Sequence, residues 1–92
     1  MALSREEIIR RARKDLAGRL GISENEIREE AVEQADFPDM ALGAPSKGEM
    51  SGQMITPGLR IRLSAEGHGS HEYRANEQQI RLYNFKGKNY RI

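Results

Sequence analysis

Between Phe37 and Gly58 the chain carries all three of its prolines (Pro38, Pro45, Pro57), four of its nine glycines (Gly43, Gly48, Gly52, Gly58) and three of its four methionines (Met40, Met50, Met54). Proline fixes φ and removes a backbone donor, and glycine weakens helix and strand alike. Regular structure therefore has to stop near Phe37 and resume near Leu59, and the core must come from the two flanks. With 92 residues in all there is room for one domain. A connection this long inside a compact domain is uncommon and is often functional.

The leading flank opens with a helix signal. Ser4 and Glu7 have the S-x-x-E spacing of a capping box, in which the serine oxygen accepts an orphan N–H and the glutamate reaches back to the serine N–H. Leu3 and Ile8 are spaced as a hydrophobic staple. Ile8, Ala12, Leu16 and Leu20 recur every four residues, Ile9 widens the stripe, and Gly21 can end the helix in the left-handed conformation. The spacing predicts a helix over about 4–20. The signal then repeats: Ser23 and Glu26 make a second box, Ile22 and Ile27 a second staple. The segment after Ile27 is ambiguous. Arg28 to Gln34 has high helix propensity, and local preference alone predicts a second helix to about Asp36.

The trailing flank alternates. Leu59-Arg60-Ile61-Arg62-Leu63 places its apolar residues inward and its arginines outward, as a half-buried strand does. Glu66-Gly67-His68-Gly69 is a turn signal, so His71 to Ala75 returns antiparallel. Asn76-Glu77 turns the chain again, and Gln79 to Phe85 is a third strand with Ile80 and Leu82 inward. Lys86 to Asn89 offers one more turn, leaving Tyr90 to Ile92 as a tail or a short edge strand.

Composition removes several function classes. Without cysteine there is no disulfide, thiolate nucleophile or zinc–thiolate site. The net charge of +1 sets up no global field toward nucleic acid or anionic membrane. The charge is segregated instead. Residues 1–23 carry six basic and three acidic groups, 24–39 one basic and seven acidic, and 40–92 eight basic and four acidic. Such a chain can satisfy its own charges on folding. No apolar run approaches the roughly 18 residues of a membrane span, and the first 20 residues are too charged for a secretory signal. The expectation is a cytoplasmic chain without membrane contact.

One stretch resembles a known pattern. Arg19-Leu20-Gly21-Ile22-Ser23, Glu26-Ile27, Phe37-Pro38-Asp39, Leu42-Gly43-Ala44-Pro45 and Pro57-Gly58-Leu59-Arg60-Ile61-Arg62-Leu63 resemble a small, poorly characterised bacterial domain family. Its pattern is roughly R-L-G-V-S, E-I, a β segment, W-P-D-x-x-L-G-C-P-x-x-G and P-G-Y-x-I-x-L. The match spans about residues 16–75 and departs at Phe37, Met40, Ala44 and Leu59, where the family has Trp, Gly, Cys and Tyr. The resemblance brings no catalytic residues. It implies that the segment after Ile27 is a strand, over about 28–35, against the local preference for helix.

The chemical motifs are thin. Gly43 to Gly48 has the outer spacing of a phosphate loop, but Glu49 and Met50 stand where Lys and Ser/Thr are needed, and no helix signal succeeds it. His68 and His71 with Glu72 straddle a turn, where three-residue spacing does not fix ligands on one face. Ser70, His71 and Glu72 are strand neighbours on alternate faces, so they form no triad. On an alternating strand Glu29 shares a face with Ala31 and Glu33, and Glu30 with Val32. These carboxylates read as a solvated face rather than an acid–base pair.

The fold expected is α+β: one domain over 1–92, an N-terminal helix packed on a four-stranded, mostly antiparallel sheet as a two-layer sandwich. Its parts are a strand at about 28–35, the loop at 37–58, a β-meander over about 59–85 and a tail at 86–92. No catalytic residue, metal ligand or cofactor is expected. The leading reading is a small non-enzymatic module that presents the 37–58 loop to a protein or peptide, in the manner of an inhibitor. Phe37, Pro38, Asp39, Leu42, Gly43, Pro45, Lys47 and Gly48 are its candidate contacts. Asp39 is expected to bond backbone donors just after it, Leu42 to anchor the loop, and the tip near Ala44 to Gly48 to be exposed. The structural reading of the same stretch has Leu42, Met50 and Met54 tucked into a lean core. The alternative function is a nucleic-acid-binding accessory protein using a basic, aromatic-bearing sheet face: Arg60, Arg62, Arg74, Arg81 and Tyr83. A monomer or weak homodimer is expected.

Overall fold

The computed structural model describes residues 2–92. Helix α1 (Arg5–Leu20) starts at Ser4, whose Oγ accepts the Glu7 N–H at 3.2 Å, and stops at Gly21 with φ 69°. Only half of the first box forms. The Glu7 carboxylate turns to Arg10 and Arg11, since guanidinium groups one turn away are stronger partners than a solvated N–H. The second box closes: Glu26 accepts the Ser23 N–H at 2.9 Å and Ser23 Oγ accepts the Asn25 N–H at 3.2 Å. It opens a one-turn 3-10 helix (Glu24–Glu26), not a second α-helix. The chain then extends as β1 (Arg28–Phe37), so pairing overrides the helix preference of its residues.

The other strands are β2 (Thr56–Ala65), β3 (Gly69–Ala75), β4 (Ile80–Phe85) and β5 (Lys88–Arg91). They form one antiparallel sheet in the order β1-β2-β3-β4-β5. The sheet has five strands, not the four expected. The supposed tail is β5, because Lys86 and Gly87, at φ 53° and 82°, supply the two-residue turn whose twist matches paired strands. The loop is also shorter than its composition suggested. Phe37 closes β1, and Thr56, Pro57 and Gly58 already belong to β2.

Register decides which side chains meet. Val32, Ile61, Tyr73 and Leu82 face one another across four strands on one side of the sheet, and Arg60, Arg74 and Arg81 share the other. The first side is the main core. Ile8, Ala12, Leu16 and Ala17 of α1 pack there on Ile61, Leu63, Tyr73, Ala75, Ile80 and Leu82. The buried Tyr73 hydroxyl donates to Asp15 at 2.7 Å, and burial together with that bond pushes its pKa up. A register shift between Glu29 and Ala31 corrects the expected pattern of β1. It leaves Glu29, opposite Leu63, on the same side as Val32, while Ala31 and Glu33 face the other way with Arg62 and Arg60.

Helix α1 does not cover the whole core side. Its start is tied to the β3–β4 turn by the Leu3 N–H on the Glu77 carbonyl at 2.8 Å. Near its end, Arg19 lies 4.3 Å from the centre of the Tyr90 ring of β5. The connection beyond it crosses back, with Arg13 donating to the Ile27 carbonyl at 2.6 Å. The opposite side of the sheet is covered by the loop.

Candidate functional site

The loop begins with an Asx turn. Asp39 Oδ1 accepts the Ala41 and Gly43 N–H groups at 2.9 and 3.0 Å, as its position after Pro38 predicted. The turn brings Leu42 and Gly43 to φ 59° and 65°. For leucine that conformation is unfavourable, and full burial of its side chain offsets it. Phe37, Ala41, Leu42 and Ala44 together form a second, smaller apolar cluster on this side of the sheet.

Two arginines of the sheet hold the turn by its carbonyls. Arg74 donates to the Leu42 and Gly43 oxygens at 3.1 and 3.2 Å, and to Glu72 at 2.7 Å. Its guanidinium lies 3.7 Å from the centre of the Tyr83 ring and 5.2 Å from that of Phe37. Arg81, only 2% exposed, donates to the Ala44 carbonyl at 3.3 Å and to both Glu49 oxygens at 2.5 and 2.7 Å. Hydrogen bonds from Arg81, and next from the Ser46 N–H, hold the Glu49 carboxyl down to about 2. Asn89 donates to the Pro45 carbonyl at 2.9 Å and Gln79 to the Met40 carbonyl at 2.7 Å. The inner side of the Gly43–Gly48 run thus offers carbonyl oxygens to cations, the reverse of a phosphate loop, which offers N–H groups.

The candidate residues therefore divide. Phe37 and Leu42 are buried, and Asp39 and Gly43 are engaged within the turn, so these four build the loop. Pro38, Pro45, Lys47 and Gly48 are exposed, while Ala44, expected at the exposed tip, is buried. On the alternative face, Arg74, Arg81 and Tyr83 are engaged with the loop and with one another. Arg60 and Arg62 approach Glu72 at 3.5 and 3.7 Å. The His71 ring packs on Phe85 with ring centres 5.3 Å apart and sets its Nε2 3.0 Å from the His68 backbone carbonyl oxygen, while His68 lies in the exposed turn. Among the described residues no three His, Cys, Asp or Glu side chains are grouped to hold a metal ion, and no helix is long and apolar enough to cross a membrane.

The second half of the loop departs from the sequence expectation. Met50 and Met54 do not tuck into the core. Met50 is 96% exposed, Met54 63% and Ile55 71%, and Met40 is half exposed. Met50, Met54 and Ile55 come after the Arg81–Glu49 clamp, which fixes where this stretch leaves the body. Gln53 to Thr56 has the composition of a short strand, but β2 starts only at Thr56, and Ile55 is left exposed just before it.

A family described as Domain of unknown function (DUF8738) matches residues 9–83. No curated protein and no solved structure matches the chain.

Proposed function

The chain belongs to the DUF8738 family, a domain of unknown function, and we propose that it is a small non-enzymatic binding module that presents the loop between β1 and β2 to a protein partner. The observation that carries this reading is the contrast within the loop. Its first half is clamped to the sheet by Arg74 and Arg81, and its second half holds Met50, Met54 and Ile55 out in solvent. Large apolar side chains held out in solvent next to a rigid base are candidates for an interaction surface, and methionine adapts to partners of different shape. An inhibitor-like role fits a clamped, protruding loop. A cytoplasmic setting belongs to the same proposal, since a chain without cysteine depends on no oxidising compartment.

Nucleic acid is the weaker reading. Base stacking needs free aromatic faces and phosphate binding needs free cations, and on this face Arg74 already covers Tyr83 and Arg81 already holds Glu49. Capture of partners by the immobilised whole chain tests the proposal, with the Met50→Ser/Met54→Ser/Ile55→Ser variant and an Arg60→Ala/Arg62→Ala variant beside it. The first variant is expected to fold as the parent does and lose the captured protein, and the second to retain it. Retention by the first with loss by the second would move the site to the basic face.

A further inference from the structure

The core side of the sheet is left bare at one corner. Helix α1 lies toward β3–β5, and the Ile27 connection covers only the start of β1. A groove of about 900 Å³ remains between the first turns of α1 and the end of β1 and start of β2. Leu3, Ile8 and Leu59 supply its apolar lining, and two acids, Asp36 and Glu77, and one base, Arg5, stand on its rim. Strand β1 beside it is ten residues long and bonded on one edge only, with no strand beyond it among the described residues.

We propose that this free edge and the adjoining groove receive an extended, basic segment of a partner protein as a sixth strand. Main-chain bonds along an edge give such additions their affinity, and pockets for alternate side chains give them specificity. The two sides of β1 ask for different side chains. Toward the loop side stands Glu33, its side chain 60% exposed and reaching Arg60 only at 3.9 Å, and Glu30, which bonds Ser70, is exposed beside it. Toward the core side stand Val32 and the apolar lining of the groove, with Glu29, Gln34 and Asp36 on the same side. A segment alternating Lys or Arg with Val, Ile or Leu meets both. A second copy of β1 does not, because like charges opposed across a ladder repel. The opposite edge of another copy, β5, carries Lys88 and Arg91 but is only four residues long. This surface is separate from the Met50–Ile55 strip, so either assignment can fail alone.

The test uses the isotopically labelled whole chain and a synthetic peptide alternating Lys and Val over about eight residues, with a Glu–Val peptide and a backbone N-methylated Lys–Val peptide as controls. Amide shifts should map to 28–37 and the groove, binding should weaken with salt, and N-methylation should abolish it. Glu30→Lys/Glu33→Lys should weaken the Lys–Val peptide about tenfold or more. Equal binding of Lys–Val and Glu–Val peptides, no binding of either, or shifts centred on 50–55 would overturn the proposal. So would a self-associating parent chain, seen by sedimentation without peptide, whose assembly the same double variant abolishes, since the edge would then belong to a second copy.

Discussion

Glu49 and Arg81 stand 32 positions apart in the chain and meet through two short hydrogen bonds under the loop. Folding lowers the Glu49 pKa from 4.5 to about 2. A carboxyl depressed in this way stabilises the folded state fully above its unfolded pKa, and the contribution is lost as pH falls through the folded value. The clamp is therefore expected to keep its full strength above pH 4.5 and to weaken between 4.5 and about 2. Amide spectra of residues 41–49 across an acid titration report it, and Glu49→Gln should flatten that response. Identical titrations of parent and variant would show that another group controls the loop. Gly58 makes a second prediction at this scale. A Cβ there would overlap the Ala75 carbonyl oxygen and crowd the Phe37 ring, so Gly58→Ala should cost about 1–3 kcal/mol in urea unfolding. Gly18, in α1 with open space around it, should gain about 0.5–1 kcal/mol from alanine. The two glycines look alike in the sequence. What separates them is a neighbouring strand and a ring brought in from far along the chain.

Among the elements, those with local signals were legible. Ser4 and Gly21 bound α1, and alternation from Leu59 to Leu63 marks β2 and its inward face. That face predicts a contrast: Ile61→Ala, with no exposed surface, should destabilise by about 2–5 kcal/mol, and Arg62→Ala, half exposed on the other side, by under about 0.5 kcal/mol. Chemical denaturation of both variants checks it, and a costlier arginine change would reverse the assignment of faces. β1 shows the limit. Its glutamates and alanines favour helix, and it is a strand because β2 pairs with it along its length. The bulge after Glu29 was equally invisible, since one inserted residue moves the carboxylates to new faces without changing composition. Arg81 was misplaced for a related reason. Alternation puts it on the polar side correctly, but polarity does not reveal that a loop from elsewhere in the chain will bury it.

At the scale of the whole molecule the sheet separates two unlike layers. The α1 side buries thirteen residues in one cluster, anchored by helix and strand hydrogen bonds. The loop side buries four apolar residues, and its backbone is secured by a few turn bonds and by side chains of Arg74, Arg81, Asn89 and Gln79. A region with little buried apolar surface and no ladder of its own opens at lower free energy than the global transition. Native-state hydrogen exchange should therefore find two units. The amides of Ala41, Gly43 and Ala44 should exchange through a sub-global opening, and those of Ile61, Tyr73 and Leu82 only through global unfolding. Glu49→Gln should lower protection in the first set and leave the second nearly unchanged, because the hydrogen bonds of that carboxylate run to Ser46 and Arg81 on the loop side. If both sets instead shifted together in parent and variant, the loop would be an integral part of one cooperative fold. The exposed Met50–Ile55 strip would then be carried by the whole body rather than by a separately adjustable layer. With two units, a partner gripping the strip gains or loses affinity with the clamp, and Arg81→Ala should weaken capture without unfolding β2 and β3.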